Sequence, residues 1–109
     1  MVRKQNKGIM ELAENLQLLA RKAVIEYKPV FNDIIDSNCQ DKHQIERALD
    51  GMLDFCFDQK MLEMYRKLCR FYYDIDQGAA IRYVHYYREM WDPEEKKEWQ
   101  KAKTNRAKK

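Results

Sequence analysis

Apolar residues recur along the first third of the chain at Ile9, Leu12, Leu16, Leu19, Ala23, Val30 and Ile34, in steps of three and four apart from one gap. That spacing keeps one face of a helix apolar for about 40 Å at 1.5 Å per residue, in a heptad-like register. Pro29 falls inside the run. A proline removes one backbone hydrogen bond and presses on the preceding turn, so the pattern predicts a long first helix kinked near Pro29.

Three more helices follow from the same reading. Asp41 is placed to cap a second helix from about Lys42 to Phe57, with Ile45, Ala48, Leu49, Met52, Leu53 and Cys56 facing inward. The apolar phase shifts at residues 58–60, and a third helix from about Gln59 to Tyr73 presents Met61, Met64, Leu68 and Phe71. Its apolar arc covers more than half of its circumference, so it must be buried against more than one neighbour and is expected at the centre. Asp74 or Asp76 can cap a fourth helix ending at Trp91, with Ala79, Ala80, Tyr83, Val84, Tyr87 and Met90 on its inner arc. Arg82, His85, Arg88 and Glu89 fill the outer arc, with Tyr86 at the boundary. "WDPEEKKEW" then reads as the start of a short last helix: Asp92 caps, Pro93 suits the first helical position, and Glu94 and Glu95 oppose the helix dipole.

The pattern therefore predicts an all-α protein, an antiparallel bundle of four main helices plus a short C-terminal helix. Its parts are a basic N-terminal tail over 1–8, one bundle domain over 9–92, and a short helix with a basic tail over 93–109. Composition agrees, because 109 residues suffice for a core without staples and only three Gly and two Pro interrupt good helix formers.

Charge changes the picture more. The net +3 comes from two basic ends, while residues 9–92 hold 11 basic and 15 acidic side chains. Cys39, Cys56 and Cys69 have no disulfide or zinc spacing and read as reduced thiols. No apolar run is long enough for a membrane span, which points to a cytoplasmic protein.

Catalytic signals are missing: one serine in a predicted loop, no Gly-rich phosphate loop and no paired metal ligands leave no catalytic, metal or cofactor site to assign. "ELAE" and "DIID" superficially resemble the paired acidic motifs of the all-α nucleotide pyrophosphatases, which imply magnesium held between facing helices. Here both pairs fall on one predicted helix. Glu46, Asp50 and Asp54 form a further acidic row, expected to be solvated.

The function expected from these readings is a small non-catalytic protein–protein interaction or adaptor protein. It would associate with itself or a protein partner through an apolar edge at Val24, Tyr27 and Phe31. The alternative is a nucleic-acid-binding accessory protein. It would use Arg66, Arg70, Arg82, Arg88 and Tyr86 together with the tail residues Lys101, Lys103, Arg106, Lys108 and Lys109. Four-residue spacings of Glu63 with Lys67 and Arg70 with Asp74 predict that part of this basic ridge pairs with itself.

Overall fold

A computed structural model of the protein describes residues 2–92, with side chains from residue 8 onward. The expected C-terminal helix and basic tail, Lys101, Lys103, Arg106, Lys108 and Lys109 included, lie outside the described residues. Within them the chain is all-α, with four helices and no strand: α1 (Val2–Asp36), α2 (Lys42–Leu53), α3 (Gln59–Tyr73) and α4 (Gln77–Trp91).

α1 runs for 35 residues, about 52 Å of helix, and its assignment passes through Pro29 without a break. Pro29 and Ile25, whose carbonyl loses its amide partner, are both exposed, so water can meet that carbonyl. Flanking anchors hold the helix on both sides of the proline: Ala23 and Ile34 are buried, and Tyr27 and Phe31 are half-buried against the core. The helix ends where Asn38 turns left-handed at φ 51°. There the Cys39 amide donates to the Ile34 carbonyl at 3.0 Å and the Asn38 amide to the Ile35 carbonyl at 3.2 Å. This double closure satisfies carbonyls that a helix end leaves unpaired, and asparagine tolerates the left-handed turn better than most residues.

Aspartates start the other three helices. Asp41 accepts from the amides of His43 and Gln44, Asp58 from those of Lys60 and Met61, and Asp76 from that of Ala79. α2 stops at Leu53, short of the expected Phe57. Phe55, Cys56 and Asp58 donate three residues back, to Met52, Leu53 and Phe55, and this tighter winding ends the helix. Cys56 nevertheless stays buried, its thiol donating to the Met52 carbonyl at 3.5 Å.

α3 packs against all three other helices, as its wide apolar arc requires. Tyr65, Leu68 and Tyr72 from α3 meet Ile34 of α1 and Ile45, Leu49 and Met52 of α2, all essentially fully buried. α1 and α2 approach closely at Gly51. A Cβ there would lie 1.8 Å from the Tyr27 hydroxyl oxygen, so the tyrosine occupies the space that any other residue would need.

Candidate interaction surfaces

The apolar stripe of α1 has two fates. Residues 8–19 are exposed without exception, including Ile9 at 65%, Leu12 at 59%, Leu16 at 45% and Leu19 at 53%. From Ala20 onward the same face is mostly covered: Ala20, Ala23 and Ile34 are buried, and Val30 stays exposed. The first part is thus an arm about 18 Å long whose apolar face meets nothing in the described structure. Val24, Tyr27 and Phe31, the edge marked by sequence, sit beyond the arm, half-buried and packed on the protein's own core. The larger uncovered apolar surface is the arm itself.

The acidic side chains divide between structural and solvent roles. Glu11, Glu14, Asp33 and Asp36 all lie on α1, so the two acidic pairs share one continuous helix and are separated by about 33 Å from Glu11 to Asp33. Asp50 and Asp54 are exposed, as expected of a solvated row, and Glu46 is half-buried; Glu46 and Asp50 in addition accept hydrogen bonds from buried tyrosines. Tyr72 donates to Glu46, and Tyr83 to Asp50 at 2.9 Å. These bonds tie α3 and α4 to α2. Burial, reinforced by the neighbouring carboxylate, pushes both phenols well above the usual tyrosine range, so they remain donors. Trp91 adds a further tie, its indole N–H donating to the Leu53 carbonyl at 2.7 Å.

A groove of about 600 Å³ runs between α3 and α4. Its floor is Tyr65, Cys69, Ala80, Val84 and Tyr87, and its rims carry Arg66 and Arg70 on α3 and His85 and Arg88 on α4, with the acid Asp92 at the end of the α4 rim. Tyr65 is fixed under the groove by donating to the Tyr83 carbonyl at 2.6 Å. Burial raises the Cys69 thiol to about 12, so it lines the floor as a neutral group. The self-pairing expected of this ridge does not form: the salt bridge found among the described residues joins Lys42 to Asp76 at 3.1 Å. Arg70 instead lies over the Tyr73 ring, 5.8 Å from its centre. The reason is geometric, since helical neighbours at four-residue spacing meet only when their rotamers converge, and an exposed pair gains little by doing so.

The structure thus brings Arg66, Arg70 and Arg88 together and leaves Arg82 and Tyr86 apart. Arg82 is off the groove, near enough to Tyr72 and Asp76 to favour their charged forms. Tyr86 packs edge-on against Tyr83 with ring centres 5.3 Å apart. His85 joins the rim, where the sequence had marked only the outer arc of its helix.

Among the described residues no helix is long and apolar enough to cross a membrane, and no group of three metal-ligating side chains converges. Compared with known proteins, the chain matches no family model, no curated protein and no solved structure at a significant level.

Proposed function

We propose that this is a small non-catalytic helical interaction protein of the cytoplasm that pairs with a second copy of itself through the α1 arm. The observation that carries the reading is the run Ile9, Leu12, Leu16 and Leu19, four consecutive stripe positions that are all exposed, on a helix whose Ala20, Ala23 and Ile34 are buried along the same face. A second copy is the favoured occupant because of what flanks the stripe. In the helical register Gly8, Ala13 and Asn15 lie beside it, small or neutral, so two identical arms meet without like-charge repulsion, while Glu11 and Glu14 point away on the opposite side. The connections at 37–41, 54–58 and 74–76 are short, which favours the antiparallel order of neighbouring helices.

A seam of about three turns is weak by itself, so the expected dimer is concentration-dependent, with a Kd on the order of 10 to 100 μM. Sedimentation equilibrium over that range should report a monomer–dimer exchange that 1 M salt does not abolish. The double substitution Leu12→Ser, Leu16→Ser should leave a monomer with unchanged helix content. A wild-type chain that stays monomeric at millimolar concentration sinks the proposal, as does a dimer that survives the double substitution.

A further inference from the structure

Given the self-pairing of the α1 arm, on which this inference rests, we propose that the two arms meet antiparallel, the tip of each abutting the exposed Phe57 at the root of the other. The end of the bundle decides the orientation. Tyr27 stands nine residues before the end of α1 and fills the space beside Gly51, nine residues after the start of α2. α2 therefore runs back along α1. Seven residues beyond that contact on each helix path, Ala20 comes about level with Asp58, the cap at which the chain turns into α3. Ala20 is fully buried and residues 8–19 are all exposed, so the covered face stops at that turn.

A parallel pair does not fit this geometry. Packed helices lie about 8 to 10 Å apart, so two parallel arms would carry each α1 beyond residue 19 into the face that α2 and α3 already cover. Antiparallel arms run out in opposite directions and put the two bundles at opposite ends of the seam. The same obstacle sets the register. α1 begins at Val2, and that end cannot pass Ala20 of the second copy, so residues 2–19 of the two arms overlap over about 27 Å. Ile9 of each copy then faces Leu12 of the other, which matches the heptad layers. The next matching register lies seven residues further in and would drive about two turns of each tip into the other bundle.

The bundle ends complete the interface. Phe57 is 43% exposed, one residue before the turn at the root of the arm, and its ring leans on Phe55 and Trp91 with centres 6.4 and 5.5 Å away. The tip of the second copy covers the outer side of that ring, adding apolar area to the seam. Each tip meets one bundle end and each bundle end one tip, so the arrangement is closed and association stops at two copies.

The test uses the full chain at a concentration where sedimentation reports dimer. A variant with Cys39→Ser and Arg3→Cys carries a nitroxide at position 3 and is mixed with isotope-labelled wild-type chain. Position 3 lies opposite Leu18 of the second copy, so the amide signals of Leu16 to Ala20 and of Phe57 should be lost, while those of residues 3–8 remain. Signal loss confined to residues 3–8, with Phe57 untouched, means parallel arms and overturns the orientation while the pairing stands. Phe57→Ser should raise the dimer Kd about fivefold with unchanged helix content. An unchanged Kd in that variant takes the bundle ends out of the interface and likewise overturns the proposal. No signal loss anywhere in a sample that sediments as monomer overturns the pairing itself, and the orientation with it.

Discussion

The two halves of α1 carry the same apolar register and have opposite surroundings. From Ala23 to Ile34 the stripe is mostly covered by α2 and α3, with Val30 left exposed; from Ile9 to Leu19 all of it faces solvent. Both halves are apolar on this face, the first through Ile9, Leu12, Leu16 and Leu19 and the second through Ala23, Val30 and Ile34 with one gap, so apolar character by itself does not separate them. The difference is reach. α2, α3 and α4 are 12, 15 and 15 residues long, about 18 to 23 Å, and a 52 Å helix cannot be covered along its whole length by such partners.

The sharpest way to break this comparison is to delete the same kind of side chain from each half. Ile34→Ala should cost about 2 to 5 kcal/mol in denaturant unfolding, because truncating a fully buried side chain leaves a cavity in the core cluster. Leu16→Ala should stay within about 0.5 kcal/mol at concentrations where the protein is monomeric. Equal costs for the two would mean that the arm is packed against something in the monomer.

Gly51→Ala probes the covered half, since Tyr27 fills the place of the missing Cβ where α1 meets α2. We expect a loss of about 1 to 3 kcal/mol from overpacking, even though alanine is the better helix former. In a Tyr27→Ala background the sign should reverse, with Gly51→Ala stabilising by up to about 1 kcal/mol. A double-mutant cycle with no coupling would remove Tyr27 from the α1–α2 seam.

Asp76→Ala should lower stability modestly by uncapping α4, read as a lower unfolding midpoint, and it also removes the link to Lys42. The amide bond from Ala79, and then Lys42, hold this carboxyl below its ordinary value of 3.8. Its contribution is therefore present above that value and lost as pH falls through the lower folded pKa, so acid unfolding of Asp76→Ala should show a smaller slope there.

The smallest effect concerns the thiols. Burial, with the neighbouring Cys69 second, raises Cys56 from 9.0 to about 12, and burial raises Cys69 similarly. The folded state thus favours the neutral thiols; their stabilising contribution is complete below pH 9 and fades between there and about pH 12. At pH 8 a thiol reagent should modify half-buried Cys39 first. Simultaneous modification of all three would show that the core around α3 opens as readily as the arm is exposed.

Much of this architecture was legible in the residues. The three- and four-residue steps place all four helices, Asp41 and Asp76 as caps follow from their position before apolar runs, and the wide arc of Met61, Leu62, Met64, Leu68 and Phe71 puts α3 at the centre. The signal for Asp58 was also present, an aspartate one residue before a helix start, but the stretch lacked a glycine or proline to mark the turn. Asn38 likewise follows the last turn of α1 as a left-handed stop.

Other features arise only when distant segments meet. Nothing in the sequence spacing says that Tyr72 and Tyr83, on different helices, donate to Glu46 and Asp50 one turn apart on a third, so that part of a solvated acidic row also ties helices together. Nor does the spacing gather Arg66, Arg70, His85 and Arg88 around one groove while sending Arg82 elsewhere, because that depends on how α3 and α4 are rotated against each other. Periodicity along one chain specifies which face of a helix is apolar, since side-chain direction follows backbone geometry. Which part of that face is covered depends on the lengths and rotations of its neighbours. Hence the sequence by itself determined the helices and their inward faces, and the tertiary structure alone decided that Ile9, Leu12, Leu16 and Leu19 remain uncovered.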